Sequence, residues 1–153
     1  MISCTFAGHR EIYDRNIQKR VEAALDGILA NDRAFVFYSG DMGEFDQMCA
    51  SAVRNAKRRH PELDMRLIAV LPYMRNDVNT NRAYYESCFD DIIVPIELAD
   101  IHYKAAILRR NQWMIDHADY LIACVIRDFG GAYAAMQYAA KQRKKILNLA
   151  EMR

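Results

Sequence analysis

The residues of this chain best suited to chemistry lie in the stretch "CVIRDFGGAYAAMQYAAKQRKK", residues 124–145. Gly130 and Gly131 follow an apolar run here, and Ala132 and Tyr133 come directly after them. If a helix begins at the glycine pair, its first backbone N–H groups are free to bind an anion such as a phosphate. The alternative is close packing of that helix on a strand, which also favours glycine and alanine.

A second glycine-containing segment, "SGDMGEFD", also follows an apolar run. Its candidate ligand-binding residues are Ser39, Gly40, Met42, Gly43 and Asp46. Backbone N–H groups between the glycines are able to face an anion, and Asp46 is able to bind ribose hydroxyls. The alternative is turn chemistry, with glycine at positive φ and Asp46 capping a helix. The segment lacks the GxxxxGK[ST] pattern of a P-loop.

Polar or conformationally special residues follow two more apolar runs. Gly8, His9 and Arg10 place an imidazole and a guanidinium directly after the first run, and Pro72 ends the third. An imidazole near neutral pH can act as a general acid or base, and both side chains can bind phosphate. The alternative for His9 and Arg10 is a surface pair at the start of a helix.

Arg110, followed by Asn111, lies on the apolar stripe of a predicted helix that also carries Ile107 and Met114. An arginine facing the core needs a partner, because a buried unpaired charge is costly. Its planar guanidinium suits a ligand phosphate or an internal carboxylate equally well. Extension of the side chain to the surface is the third possibility.

Apolar runs alternate with amphipathic stretches along the whole chain. Strands are predicted at residues 2–7, 34–39, 65–72, 91–96, 119–126 and 145–149. Helices are predicted at residues 11–31, 45–60, 100–117 and 132–143, and the polar segment 74–90 is predicted as a loop with a short helix. This alternation predicts an α/β fold: a Rossmann-like, doubly wound, mostly parallel sheet flanked by helices on both faces. It does not give the strand order.

In such a sheet, ligands bind outside the carboxyl ends of the strands, near the reversal in strand order. Because the candidate segments follow predicted strands, we expect them to meet at this one edge and form a single ligand site. Tyrosines in or near these loops are candidates for stacking on a nucleobase: Tyr73, Tyr84, Tyr85 and Tyr133.

The chain of 153 residues has the size of a single domain, residues 1–153. Its formal net charge of +1 gives the whole molecule no field suited to nucleic acid or an anionic membrane. The basic runs 57–60 and 141–145 lie at predicted helix C-termini, where cations offset the dipole.

We expect a cytoplasmic protein, without a signal peptide, metal or required cofactor. The four dispersed cysteines are expected to be reduced structural thiols: Cys4, Cys49, Cys88 and Cys124.

Taken in order, "TFAGHRE", "FYSGDMGEFDQMCASAV", "RRNQWMIDHADYLIACV" and "YAAKQRKKIL" resemble the SLOG superfamily, and within it the YpsA-like branch. The match extends over nearly the whole chain. More distantly, the chain is similar to the LOG phosphoribohydrolases and to DprA, a DNA-uptake protein of the same superfamily. The resemblance implies a Rossmann-like domain that binds a nucleotide or nucleotide-derived ligand.

In the LOG enzymes, an arginine in an "RK" segment and a glutamate in "PGGxGTxxE" carry the hydrolysis of the base–ribose bond. By this resemblance, Arg110 matches the arginine, and Gly130 and Gly131 match the glycine pair. Gln137 occupies the position of the glutamate. A glutamine does not exchange a proton as a carboxyl group does, so the resemblance does not carry LOG-type hydrolysis to this chain.

These observations predict a domain that binds or senses a ligand such as ADP-ribose, an NAD fragment or a nucleoside monophosphate. The alternative is a hydrolase of an N-glycosidic or phosphate bond in such a ligand, and DprA-like handling of single-stranded DNA is less favoured. The acid of a hydrolase would come from His9 or from one of five carboxylates: Asp41, Glu44, Asp46, Glu97 and Asp128. The resemblance also implies a homo-oligomer that pairs through helices bearing Trp113, Met114 and Tyr138. The alternative is that these three side chains fill the monomer's own core.

Overall fold

A computed structural model describes residues 1–152 as one parallel sheet with helices on both faces. The strands are β1 (Ile2–Gly8), β2 (Ala34–Ser39), β3 (Asp64–Val70), β4 (Asp91–Ile93), β5 (Tyr120–Cys124) and β6 (Lys145–Asn148). The helices are α1 (Ile17–Leu29), α2 (Glu44–Arg59), α3 (Asn76–Thr80), α4 (Arg82–Cys88), α5 (Tyr103–Asp116) and α6 (Gly131–Lys141), with a 3₁₀ turn at Ile96–Leu98. The predicted Rossmann-like fold class is confirmed, and every strand pair is parallel.

The strand order, which the sequence pattern left open, is β4-β3-β2-β1-β5-β6. From β1 the chain first builds outward through β2, β3 and β4, and then crosses back to place β5 on the other side of β1. The strand order therefore reverses between β1 and β5, where Ala7 pairs with Ala123 and Gly8 with Cys124. In open parallel sheets, this reversal is the position at which ligands bind.

The two faces of the sheet bury separate apolar clusters. On one face, α1 and α2 cover the larger cluster, which contains Phe6, Phe35 and Phe37. On the other face, α5 and α6 cover smaller clusters around Ala123 and around Val70. Since strands covered on both faces have little room for polar side chains, the polar groups gather where the strands end.

Most elements differ from their predicted bounds by a few residues, and three of the differences are the following. Helix α1 begins at Ile17 and not at residue 11. Strand β4 ends at Ile93, before Pro95, which opens the 3₁₀ turn. The polar segment 74–90 forms two short helices, because Asn81 leaves helical geometry at φ −111° and ψ 36°.

The late start of α1 follows from contacts between the loop after β1 and the beginning of α2. Glu44 N–H donates to the Arg10 carbonyl at 2.8 Å, and Ile12 N–H donates to Glu44 Oε2 at 3.0 Å. Gly43 has φ 90° and ψ 174°, a conformation that only glycine adopts readily. A Cβ atom there would lie 2.8 Å from Arg10 Cα. These contacts hold the loop in a non-helical conformation.

The side chains proposed for self-association are engaged within the monomer. Met114 is buried against Val36 and Val70. The half-buried Trp113 donates its indole N–H to Glu97, and the Tyr138 hydroxyl donates to Asp116 Oδ1 at 2.7 Å. This arrangement favours the alternative that they fill the monomer's own core.

All four cysteines are free thiols. Cys4, Cys49 and Cys124 are buried in the cluster under α1 and α2, and burial raises the pKa of each thiol. A buried thiol with a raised pKa is a poor nucleophile, in agreement with the predicted structural role.

We expect Gly43→Ala to lower the free energy of unfolding by about 1–3 kcal/mol, because alanine is strained at this φ and meets the Arg10 backbone. Gly27→Ala is the matched control: a Cβ atom at Gly27 meets nothing within 4 Å, and its position in α1 favours alanine. Urea denaturation measures both. Equal stability of the two variants would contradict the proposed contact between the loop and α2.

Candidate functional site

A cavity of about 450 Å³ opens at the reversal in strand order, between α5, α6 and the ends of β1 and β5. Ten of the residues predicted to bind a ligand line it: Gly8, His9, Arg10, Met42, Asp46, Arg110, Asn111, Gly130, Gly131 and Ala132. The cavity has the size of a small-molecule site. The expectation that the strand-end segments meet at one edge is therefore confirmed for eight of these residues, and Arg110 and Asn111 reach the same cavity from α5. That they bind a ligand stays a prediction.

The glycine pair at the start of α6 faces open space. Gly130 has φ 91° and ψ 177°, so its backbone requires glycine. A Cβ atom at Gly130 or at Gly131 would meet no atom within 4 Å. Close packing of helix on strand, the alternative for this pair, is therefore not the reason for Gly131. The missing side chain instead enlarges the cavity.

The first N–H groups of α6 are available to a ligand. Ala134 N–H donates to the Gly130 carbonyl at 3.0 Å and is the first N–H group to be bonded in the helix. The three N–H groups before it, those of Gly131, Ala132 and Tyr133, have no hydrogen-bond partner within residues 1–152. Free donors at a helix N-terminus, together with the helix dipole, favour an anion.

Three N–H groups of the loop "SGDMGEFD" are bonded within the protein. Asp41 N–H donates to Ser39 Oγ at 3.1 Å, Met42 N–H to Asp46 Oδ2 at 3.0 Å, and Glu44 N–H to Arg10. Turn chemistry, the alternative reading of this segment, therefore describes it better than an anion cradle. Only Met42 and Asp46 of the predicted residues in this loop reach the cavity.

Five of the residues predicted to bind a ligand lie outside the cavity lining: Ser39, Gly40, Gly43, Pro72 and Tyr133. Ser39 and Gly40 are buried behind Arg110, and Gly43 contacts Arg10. Pro72 is buried beyond the end of β3, and the half-buried Tyr133 side chain packs in the α5–α6 cluster, which leaves only its N–H group near the ligand edge.

The tyrosines predicted to stack on a nucleobase do not line the cavity either: Tyr73, Tyr84, Tyr85 and Tyr133. Tyr85 stacks on Phe89 and donates its hydroxyl to Asp77 at 2.9 Å. The tyrosine that does line the cavity is Tyr13, which is 83% exposed and donates its hydroxyl to Glu11.

Arg110 is buried in the cavity wall, with 1% of its surface exposed. Its Nη1 donates to the Gly40 carbonyl at 2.9 Å and to the Val70 carbonyl at 2.8 Å, and its Nε donates to Asn111 Oδ1 at 2.9 Å. The guanidinium thus ties together the ends of β2 and β3. An internal carboxylate, one of the predicted partners, is not found, because no carboxylate oxygen of residues 1–152 lies within 4.0 Å of the guanidinium. Contact with a ligand phosphate stays a prediction.

Asp46 is the buried carboxyl group of the cavity. Its exposed fraction is 9%, and burial raises its pKa to about 7, although the Met42 N–H group and the charge of Arg110 both act to lower it. One oxygen of Asp46 is fixed by the Met42 N–H group, in a cap-like contact. The group is therefore partly protonated at neutral pH, which is the condition that a general acid needs.

The other four carboxylates considered as acids lie outside the cavity lining. Asp41 forms an ion pair with Arg75 at 2.8 Å, Glu44 accepts the Ile12 N–H group, and Glu97 accepts the Trp113 indole N–H group at 3.1 Å. Asp128 is exposed. Gln137, at the position of the LOG glutamate, is exposed on α6 and also lies outside the lining.

Several cavity residues were missed by the sequence prediction: Thr5, Phe6, Ala7, Glu11, Tyr13, Ile107, Met114, Ile115, Ile126, Arg127 and Ala135. Ile107 and Met114 were assigned to the apolar stripe of α5, but that stripe faces the cavity as well as the core. Arg127 had a recognisable signal, because it is the first charged residue between β5 and the glycine pair. Glu11 and Tyr13 fall within the helix predicted at residues 11–31, so the sequence offered no reason to place them at the ligand edge.

The fold and cavity define a Rossmann-like domain with a cavity at its switch point. In a comparison with solved structures, the chain is similar to DNA processing protein A (DprA) from Streptococcus pneumoniae, with a TM-score of 0.68, 14% identity and coverage of 95% of this chain and 49% of that one. DprA from Helicobacter pylori, described for its single-stranded DNA binding mode, matches with a TM-score of 0.61, 16% identity and coverage of 95% and 63%. The structural-genomics target TM1055 matches with a TM-score of 0.59, 12% identity and coverage of 95% and 72%.

At these identities the likeness shows the fold alone, and the chain spans about half the length of the first of these structures. The resemblance of the sequence to the SLOG superfamily implies a Rossmann-like fold. The fold shared with DprA agrees with this resemblance at the level of architecture. The YpsA-like branch stays a prediction. No protein-family model and no curated protein matches the chain.

Two further structural findings bear on function. Within residues 1–152, no group of three or more histidine, cysteine, aspartate or glutamate side chains is arranged to hold a metal ion. In the same residues, no helix combines the length and the apolar character needed to span a lipid bilayer.

The raised pKa of Asp46 predicts a pH dependence of stability. The ordinary aspartate value is 3.8, so between about pH 4 and pH 7 the folded state binds a proton that the unfolded state has released, and stability falls as the pH rises through this window. Asp46→Asn keeps an acceptor for Met42 and removes the titration. We expect the variant to gain stability relative to the parent chain by a few kcal/mol between pH 4 and pH 8. Denaturation curves across this range measure the difference, and a constant difference would contradict the buried titration.

Proposed function

We propose that this chain binds a nucleotide or nucleotide-derived ligand in the cavity between α5 and α6. The observation that carries the proposal is the position of this cavity at the reversal in strand order, where the open start of α6 meets cationic side chains. The site of a small ligand in a fold of this type lies at that edge. A nucleoside monophosphate, ADP-ribose or an NAD fragment has anionic groups for the cationic side chains of the lining and weakly polar groups for its apolar residues.

The two sides of the cavity differ in polarity. Arg10, Arg127 and the free N–H groups of α6 provide positive charge and donors for phosphate. Ile107 and Ile115 provide an apolar wall for a base or the carbon face of a sugar. A ligand that bridges both sides needs a charged end and a weakly polar end, as a nucleotide has.

The resemblance to the SLOG superfamily and the shared fold with DprA support the same ligand class. The Helicobacter pylori DprA structure is described for single-stranded DNA binding, which makes DNA a further possible ligand. With a formal net charge of +1, this chain has little long-range attraction for a polyanion. A mononucleotide ligand is therefore favoured over a DNA strand.

Gly131 provides the sharpest test of the binding site. Gly131 lines the cavity, and a leucine there meets no protein atom at its Cβ, so we expect Gly131→Leu to fill space at the cavity and to fold with unchanged or higher stability. In thermal-shift measurements with AMP, ADP-ribose and NAD, at least one ligand should raise the Tm of the parent chain by several degrees, and this shift should vanish in the variant.

Gly27→Leu is the matched control, because Gly27 is an exposed helical glycine far from the lining with equal space around its Cβ. It should keep the full shift. No shift of the parent chain with any of the three nucleotides, or an undiminished shift in Gly131→Leu, would count against the proposal. Arg110→Ala is a poor test, because it leaves the carbonyls of Gly40 and Val70 without a donor.

A second candidate function is hydrolysis of the N-glycosidic bond of such a ligand, and Asp46 is the observation that favours it. Its carboxyl group would give its proton to the leaving nitrogen of the base as the C1′–N bond breaks and the bonding electrons pass to that nitrogen. Water would add to C1′ and return a proton to the carboxylate of Asp46. The raised pKa suits both steps near neutral pH.

The two functions are separated by Asp46→Asn. If the chain is a hydrolase, chromatography of AMP incubated with the protein should show free adenine, and the variant should release at least about a hundredfold less, the usual contribution of a general acid. Its thermal shift with AMP should persist. If the parent chain releases no base from AMP but still shows the thermal shift, it acts by binding alone.

A further inference from the structure

Met42 lies in the cavity wall between two arginine side chains. Its side chain is half-buried and lines the cavity. The Met42 Sδ atom lies 3.7 Å from Arg10 Nη2 and 3.9 Å from Arg110 Nη2, so both guanidinium groups donate toward the same sulfur. A thioether sulfur is only a weak acceptor. Two cationic donors therefore share one weak acceptor.

The donors that face the sulfur have no better partner within residues 1–152. The Met42 sulfur is the one hydrogen-bond partner of the Arg10 guanidinium there. Arg110 uses Nη1 for two backbone carbonyls and Nε for Asn111, which leaves its Nη2 group with the sulfur alone. Because Arg110 is almost fully buried, a donor with only a weak acceptor retains part of its desolvation cost. An oxygen atom bound to the sulfur would supply the stronger acceptor.

Backbone contacts hold both Met42 and Arg10 in place. The Met42 N–H group donates to Asp46 Oδ2 at 3.0 Å. The next residue, Gly43, lies so close to Arg10 that a Cβ atom there would be 2.8 Å from Arg10 Cα. The sulfur and the Arg10 guanidinium are thus held at neighbouring positions, and a small solute in the cavity can reach the sulfur.

We propose that Met42 is an oxidation site, at which a peroxide converts the thioether to a sulfoxide whose oxygen accepts from Arg10 and Arg110. A lone pair of the sulfur attacks one peroxide oxygen, so that the S–O bond forms and the O–O bond breaks. The electron pair of the broken bond passes to the departing oxygen. With hydrogen peroxide, this oxygen takes the proton of the transferred hydroxyl group and leaves as water. The sulfur loses two electrons and the peroxide gains them.

The arginines favour both the reaction and its product. The exposed Arg10 guanidinium is able to donate to the departing oxygen as negative charge develops on it. In the product, the negative end of the S–O dipole lies between two positive charges and reduces their mutual repulsion. A sulfoxide elsewhere in the chain lacks this compensation. Met48 and Met136, which are also half-buried, pack against apolar clusters, where a polar group is costly.

Oxidation by hydrogen peroxide, followed at each methionine by peptide mass spectrometry, tests the site. We expect Met42 to oxidise at least about tenfold faster than Met48 or Met136. Arg10→Gln should slow the oxidation of Met42 by about tenfold or more, the usual size of a charge-assisted hydrogen bond. Arg15→Gln is the matched control, because Arg15 is an exposed arginine before α1 that does not line the cavity, and it should keep the parent rate.

Met42→Gln tests the product without an oxidant, because its amide oxygen stands in for the sulfoxide oxygen. We expect the Tm of this variant to equal or exceed that of the parent chain. Met48→Gln should lower the Tm by several degrees, because its amide meets an apolar cluster. In an Arg10→Gln background, Met42→Gln should lower the Tm as well, since one of its two donors is gone.

The sulfoxide also engages Arg10, which the proposed function assigns to a ligand phosphate, and this consequence alone rests on that function. The thermal shift of Met42→Gln with AMP should be smaller than that of Met48→Gln, and equal shifts would contradict the consequence. Similar oxidation rates at Met42 and Met48, or a Met42 rate that Arg10→Gln leaves unchanged, would overturn the oxidation site itself. So would an equal loss of Tm in Met42→Gln and Met48→Gln. These three measurements use no nucleotide, so the oxidation site and the proposed function fail separately.

Discussion

The reversal of strand order between β1 and β5 is the constraint on which the rest of this structure depends. Each connection from strand to parallel strand needs a crossover helix, and crossovers that start on opposite sides of β1 carry their helices away from each other. No connection therefore passes over the sheet edge between them. The loop after β1, with His9, and the loop after β5, with Arg127, therefore meet across a gap and not across a packed interface.

The walls of that gap contain two buried ionisable groups that are stabilised in different ways. The Arg110 guanidinium donates from Nη1 to the carbonyls at the ends of β2 and β3 and from Nε to Asn111, so its charge serves as part of the frame. Asp46 lies near that charge without touching it, and burial dominates its pKa. Because a buried charge is retained at a cost in stability, a carboxyl group in such a place agrees with the proposed binding role of the cavity.

Three different physical constraints explain why glycine stands at positions in and around the cavity. Gly43 and Gly130 provide backbone conformations that other residues adopt only with strain, and Gly8 leaves room for Phe45, which would lie 2.3 Å from a Cβ atom there. Gly131 alone has neither a special backbone conformation nor a neighbour that a side chain would touch. Gly131 instead leaves open space in the lining of the cavity, and this space is visible only in three dimensions.

The periodicity of apolar residues determined the class of fold, because strands buried on both faces must read as nearly unbroken apolar runs. It also placed His9, Asp46 and Gly131 after strands, and hence at one edge. Tertiary structure alone decided which of them share a cavity, since the strand order and the loop geometry depend on contacts between distant segments. Arg10 held against Gly43, and Arg110 bonded to the carbonyls of two strands, have no local signal in the sequence.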